Sequence, residues 1–174
     1  NPIISVVVPF YNSGKYIEQT INSVLNQTFP YYEILIVDDG SKDEESLKKL
    51  EEVGKLDNRI KVFHKDNEGL AATRDFGASK SADTCKYLMF LDDDDLIEPT
   101  FLECAYWTLE TNSEAAWAYS DSIGFGTREY TWNKYFNSEK LKEENELISE
   151  ALVRKTDFNL VNGYELREKA VNED

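Results

Sequence analysis

The apolar residues of this chain fall into short blocks whose periodicity alternates. Ile4-Ser-Val-Val-Val-Pro-Phe10 is β-branched and nearly continuous, the pattern of a strand buried on both faces. Asn12-Ser-Gly14 follows as a turn, and Ile17, Ile21, Val24 and Leu25 then recur at helical spacing up to a stop at residues 26–30. Residues 32–37 predict a second strand. Leu47, Leu50 and Val53 mark the next helix, with Ser41 and Glu44 as its capping box. Residues 59–63 predict a third, shorter strand, residues 67–74 open a third helix, and residues 87–91 predict a fourth strand. A helix over residues 99–110 presents Phe101, Leu102, Ala105 and Leu109 on one face, and Pro99 suits its first turn.

Four strand–helix repeats in this order predict an α/β fold: a Rossmann-like, mostly parallel central sheet with helices on both faces. Ligands of such sheets bind beyond the carboxyl ends of the strands. Here three strand ends carry Pro9-Phe10-Tyr11-Asn12, Asp38-Asp39-Gly40-Ser41 and Asp92-Asp93-Asp94-Asp95, so polar residues converge on one rim. After Ala115 the pattern weakens. Residues 116–119 fit a short fifth strand, and Gly124-Phe-Gly126 a turn or flexible loop. Residues 128–138 are rich in aromatics, 139–146 are charged, and 147–153 are apolar enough to re-enter the core. No repeat or Gly/Ser-rich linker marks a hard domain boundary.

Composition narrows the function classes. At 174 residues, 41% hydrophobic and 13% aromatic, the chain can build one real core and is not of disordered type. Its 34 acidic and 19 basic residues give a net charge of -15. Such a surface repels phosphate backbones, so nucleic acid is not an expected partner, and a bound anion needs a local cation. Cys85 and Cys104 lie in no CxxC or Cys/His cluster, which argues against zinc and fits a reducing compartment. No apolar run approaches the roughly 18 residues of a membrane span, and residues 3–10 are too short and lack the basic flank of a signal peptide. The expected location is the cytoplasm, with peripheral contact at the inner membrane face as the alternative.

The stretch YLMFLDDDDLIEP, residues 87–99, runs from a buried strand into four aspartates. A charge run is ordinarily a solvated loop. Two carboxylates about 4 Å apart repel by about 1 kcal/mol in water and about 4 kcal/mol at an effective dielectric of 20, the condition nearer to a strand end under a helix layer. These groups must splay, protonate or share a cation. Asp92 and Asp94 have D-x-D spacing, and a hard divalent ion such as Mg2+ or Mn2+ takes such carboxylates and completes its shell with substrate phosphates. Arg74, at the start of a helix after Gly69, offers a phosphate contact or an ordinary surface salt bridge. Asp38 and Asp39 can accept from a ribose hydroxyl or a base N–H, or cap a helix. Tyr11 can stack on a base or pack at the rim. His64, the single histidine, is expected in a structural or rim role. Cys104 is expected to be core-facing or inert. The aromatics Tyr130, Trp132, Tyr135 and Phe136 fit a sugar-stacking surface and ordinary core equally.

Together VVVPFYN (6–12), ILIVDDGSKD (34–43), NEGLAATRD (67–75) and FLDDDDLIEP (90–99) resemble the family 2 glycosyltransferases, over nearly the whole chain. The resemblance implies the GT-A fold, with residues 1–114 as the nucleotide-sugar half and 115–174 as the start of an acceptor half. It also implies inverting transfer from a nucleoside-diphosphate sugar, UDP-linked by default, to a saccharide or lipid-linked hydroxyl in polysaccharide or glycoconjugate synthesis. Pro9, Tyr11 and Asp39 would then line the nucleoside pocket with Asp38 nearby, and Gly69 and Arg74 would lie by the nucleotide. Asp93 would sit near the ribose, Asp92 and Asp94 would bind Mn2+ or Mg2+, and Asp174 of the Glu173-Asp174 pair would be the general base. Family members continue past that pair. The chain is therefore expected to bind nucleotide better than it transfers sugar. The competing function is a nucleotide-sugar-binding module without transfer activity. A nucleotidyltransferase would need a basic Gly-rich loop where PFYNSGKY supplies only Lys15, and no G-x-G-x-x-G follows the first strand for a dinucleotide oxidoreductase.

Overall fold

Strand and helix alternate from the first residues as β1 (Ile4–Phe10), α1 (Ile17–Leu25), β2 (Tyr32–Asp38), α2 (Glu44–Val53), β3 (Ile60–His64), α3 (Leu70–Ser79), β4 (Tyr87–Phe90) and α4 (Phe101–Thr111). The computed structural model describes residues 1–126, 129–132, 135–137, 139–140, 143 and 150–164. Its six-stranded sheet has the order β3-β2-β1-β4-β8-β5. The first four of these strands are parallel, with Val6 opposite Ile34 and Met89 across the sheet centre. This is the mostly parallel α/β architecture that the element order predicts.

Burial explains the near-continuous apolar strands. Along β1, Ile4, Val6, Val8 and Phe10 face a large core shared with α1, α2 and α4, through Ile21, Leu50 and Leu102. Val7 faces a smaller core with Leu35, Ala78, Leu88 and Phe90 on the opposite side. Both faces are thus covered, as parallel sheets require. On the second face α3 approaches closely because Gly77 carries no side chain: a Cβ there would lie 2.3 Å from Val7 Cγ1.

Several local readings change. The α2 cap is Asp43, whose carboxylate accepts from Ser46 N at 2.8 Å. Ser41, expected as that cap, instead accepts from Asn12 N at 2.9 Å through its hydroxyl. The capping-box spacing was present, but the β1–α1 loop claimed the serine. Cys104 is exposed on α4 rather than core-facing, because Leu102, Ala105 and Leu109 already form the buried stripe.

Beyond α4 the chain forms β5 (Trp117–Ala118), the hairpin β6 (Ser122–Gly124) and β7 (Tyr130–Trp132), β8 (Leu152–Arg154) and α5 (Lys155–Leu160). Gly124-Phe-Gly126 therefore spans a hairpin end. Strand β8 runs antiparallel to both neighbours, with Met89 opposite Leu152. Residues from the second part of the chain thus complete the sheet beside the strand that ends in four aspartates. Tyr130, Tyr135 and Phe136 are exposed, so they are not core. Most of the charged segment 139–146 and the residues 147–149 lie outside the described residues. Among the described residues no helix is long and apolar enough to cross a membrane.

Candidate active site

The carboxyl ends of β1, β2 and β4 open onto a cleft of about 370 Å³. Of the residues expected at a nucleotide site, Pro9, Tyr11, Asp39, Gly69, Asp92, Asp93 and Asp94 line it. All but Gly69, the N-cap of α3, come from a strand end or the turn after it, so the parallel sheet itself gathers them.

The first wall is the turn after β1. Asn12 adopts φ of +52°, and its Oδ1 accepts from Lys42 N at 2.9 Å and Asp43 N at 3.0 Å. This staples the β1–α1 loop to the β2–α2 loop and leaves the Tyr11 ring half-exposed at the mouth of the cleft. Ser13 Oγ donates to the Asp93 carboxylate, and Thr20 Oγ1 donates to Asp93 O at 2.9 Å.

The two aspartates ending β2 separate in role. Asp39 faces the cleft. Its Oδ1 accepts from Lys65 Nζ at 2.6 Å and Glu68 N at 3.0 Å, and its Oδ2 accepts from Gly69 N at 2.9 Å. Burial alone would push this carboxyl up; the lysine and backbone donors outweigh it and hold it below the ordinary range. Asp38, expected near the nucleoside pocket, does not itself line the cleft. Its buried carboxylate accepts from Ser41 N at 3.0 Å and pairs with His64 Nδ1 at 2.9 Å. Alternation along a strand sends neighbouring side chains to opposite faces, so only one of the pair can face the site. His64 accordingly has the structural role expected of it.

Arg74 departs from the surface salt bridge that its sequence position also allowed. It is 9% exposed and does not line the cleft; its Nη2 donates to Asp92 Oδ1 at 2.6 Å. It is a buried counter-charge to Asp92 and not a surface salt bridge.

The acidic rim is crowded. Asp93 is pushed up to about 6, first by burial and then by the charges of Asp94 and Asp92, with the Ser13 hydrogen bond offsetting part of this. Asp95 is exposed as a residue, yet its carboxyl turns toward Asp92 and Glu150; local desolvation and the charge of Glu150 push it up as well. Ligand oxygens of Asp92, Asp95 and Glu150 all lie within 4.8 Å of one another, the one group among the described residues that could hold a metal ion. An all-carboxylate donor set suits Mg2+ or Mn2+ and not a soft metal, so the residues present fit such an ion. Asp94 lines the cleft wall outside this group. The general-base position Asp174, with Glu173, lies outside the described residues.

Sequence reading gave no individual role to Lys65, Asn67, Thr73, Asp95 or Glu150. Asn67 and Thr73 line the cleft, and Asn67 Nδ2 donates to Asp39 O at 2.9 Å. Asp95 belonged to the acidic run and was legible there. Glu150 was not: the apolar run 147–153 signals re-entry into the core, but nothing local says that it returns to the end of β4.

A family model for glycosyl transferase family 2 matches residues 5–163. An uncharacterised glycosyltransferase of Rickettsia conorii is 44% identical over 110 residues, which are 63% of this chain and 18% of that protein. Glycosyltransferase GlyG of Streptococcus pneumoniae is 38% identical over 105 residues, covering 60% of this chain and 34% of GlyG. The chain therefore matches 18% and 34% of the length of these two relatives. Among solved structures, S. aureus TarS 1–349 in complex with UDP-GlcNAc superposes with a TM-score of 0.70 at 24% identity, over 91% of this chain and 47% of TarS. GalNAc-T7 with UDP, GalNAc and Mn2+ superposes with a TM-score of 0.57 at 31% identity, over 64% of this chain and 21% of that enzyme. The TarS superposition carries the GT-A fold. With a family match that begins in β1 and runs past α5, the chain belongs to glycosyl transferase family 2.

Proposed function

We propose that this chain supplies the nucleotide-sugar site of a metal-dependent, inverting glycosyltransferase, with a UDP-sugar as donor and a saccharide or lipid-linked hydroxyl as acceptor. The observation that carries the reading is the pairing, in one cleft, of an ionised Asp39 with a crowded acidic rim. Residues 1–114 would hold the donor and residues 115–174 would begin the acceptor side. GalNAc-T7, at 31% identity, was solved with UDP and Mn2+, which supports both the nucleotide and the ion. Such an enzyme would act on cell-surface polysaccharide or glycoconjugate at the cytoplasmic side.

Each residue would then have a distinct task. Tyr11 would offer a flat face to a base, and Pro9 would line the pocket beside it. Asp39, held by Lys65 and two backbone amides, accepts a base N–H without having to reorganise. Asp93, which lines the cleft with its carboxylate held by Ser13, would accept from the ribose. Asp92 and Asp94, with Asp95 and Glu150 beside Asp92, would hold Mn2+ or Mg2+. When bound, the ion would neutralise charge on the departing nucleoside diphosphate. Asp174 would take the proton of the acceptor hydroxyl as that oxygen attacks the anomeric carbon from the opposite face.

Calorimetric titration with UDP, with and without Mn2+, tests this. Wild-type chain is expected to bind UDP far more tightly with Mn2+, and Asp94→Ala to lose that gain. A folded sample that binds none of UDP, GDP or dTDP overturns the nucleotide-site reading. Retained anomeric configuration in the full-length enzyme's product overturns direct inversion.

A further inference from the structure

Arg74 has an unusual set of neighbours. Its Nη2 holds Asp92 Oδ1, while its guanidinium carbon lies 5.4 Å from the centroid of the Tyr164 ring. Its Nε is buried without a hydrogen-bond partner, so the fork is held on two sides and not saturated on all. Tyr164 is itself clasped. Its ring meets Phe90 edge-on at 5.2 Å and Phe158 at 5.9 Å. Its backbone N donates to Asp75 Oδ1 at 3.0 Å. The residue before it, Gly163, has φ of +78°, and a Cβ there would fall 2.5 Å from that same Asp75 Oδ1. Only glycine meets both demands at this position. Helix α3 therefore extends two consecutive side chains toward one segment: Asp75 to its backbone and Arg74 to its aromatic ring.

We infer that Asp75, Tyr164 and Arg74 form a positioning relay for Asp92. Asp75 fixes the backbone of Gly163 and Tyr164, the Tyr164 ring fixes the Arg74 fork, and Arg74 holds the Asp92 carboxylate at the edge of the cleft. The need for it comes from the rim. Asp92 stands among Asp93, Asp94, Asp95 and Glu150, and like charges drive an unrestrained carboxylate away from its neighbours. A planar guanidinium fixes both the position and the orientation of a carboxylate in a way that an ammonium does not. Placing this cation behind Asp92, and not in the cleft, leaves the open side of the rim for a divalent ion. The relay rests on the proposed reading of that rim as a cation and diphosphate site. It adds that the segment after β8 sets the geometry of the donor site without touching the donor.

The experiment uses the whole chain with UDP and Mn2+ as probes, and reads two quantities. One is the factor by which Mn2+ tightens UDP binding. The other is amide hydrogen exchange over residues 91–95, where Leu91 N donates to Val7 O and Asp95 N to Asp92 O. Tyr164→Leu fills the space beside Phe90 and Phe158 but removes the ring face, so it keeps the fold. It is expected to cut the Mn2+ gain about tenfold, the usual size of effect behind a metal-binding carboxylate, and to speed exchange at residues 91–95. Asp75→Ala is expected to act in the same direction. Asp75→Asn, which keeps the acceptor, is expected to restore most of both, and Tyr164→Phe, which keeps the ring but removes the hydroxyl that also interacts with Arg74, only part of each. In the double variant Arg74→Gln/Tyr164→Leu the loss is expected to equal that of Arg74→Gln alone, since Tyr164 acts through Arg74. The relay is overturned if Tyr164→Leu loosens only α5 and leaves residues 91–95 and the Mn2+ gain unchanged, or if the two losses multiply. Wild-type chain that ignores UDP and Mn2+ would overturn the functional reading, and the exchange data alone would still decide the relay.

Discussion

At the amino-terminal edge of the sheet, Glu33 is buried with its side chain 4% exposed, and donors surround it. Its Oε1 accepts from Ser5 Oγ at 2.7 Å and Ala82 N at 2.7 Å, and its Oε2 accepts from Lys61 Nζ at 2.8 Å. Burial alone would raise this carboxyl; the donors outweigh burial and hold it below its ordinary value. Cys85 beside it is pushed up to about 11, first by burial, and is a packed thiol, not a nucleophile. At the carboxyl-terminal edge the same sheet does the reverse. Asp93 and Asp95 are raised, each first by burial and then by other carboxylates. An acid whose desolvation is offset by donors belongs to the scaffold. Acids crowded together with too few donors form the rim for which a cation is proposed.

The largest effect that would sharpen this contrast lies at the scaffold end. Glu33→Ala strands Ser5 and Ala82 N in the interior and is expected to cost about 3 kcal/mol in urea denaturation, with UDP affinity unchanged. A matching loss of UDP affinity would erase the distinction between the two edges. Next, Mn2+ at a hundredfold excess over its dissociation constant should stabilise the wild-type chain by about 2.7 kcal/mol. Asp94→Ala should lose most of this in a thermal melt, while Glu33→Gln should keep it.

The pH dependence separates the edges by sign. Glu33 has a folded value below 4.5, so its contribution is present above pH 4.5 and is lost as pH falls through that depressed value. Asp93 has a folded value of about 6 against an ordinary 3.8, so its contribution is full below 3.8 and is lost as pH rises through about 6. In metal-free buffer Asp93→Asn should therefore gain about 2 kcal/mol on the wild type between pH 4 and 7. Glu33→Gln should flatten the acid limb instead, and parallel stability curves would contradict both assignments. The smallest effect is at Asp95. Asp95→Asn relieves repulsion from Glu150 and Asp92, but solvent reaches the residue, so a gain of at most about 1 kcal/mol is expected without metal. A lower melting temperature would show that Asp95 is compensated after all.

How legible these regions were depended on the range of the interactions. The four strand–helix units and their buried faces follow from periods of two and of three to four residues, which survive in any chain that must cover both faces of a sheet. The rim was legible for the same reason: in a parallel sheet, every residue just after a strand reaches one edge. Asp39, Asp92 and Asp94 were found in this way. Strand β8 was not, because an antiparallel insertion beside β4 depends on partners far along the chain and not on local pattern.

The sequence by itself determined the α/β order, the edge that would carry the chemistry and the acidic character of that edge. Only the tertiary structure decided which acids face the cleft and which are already occupied. Asp38 and Asp39 are adjacent and identical in type, yet one is consumed by His64 and Ser41 and the other faces the site. Arg74 looks like a phosphate ligand in its motif, and it turns inward because Asp92 and Tyr164 are close in space. Charge and hydrogen-bond energy depend on distance and desolvation, and both are set by contacts between residues distant in sequence.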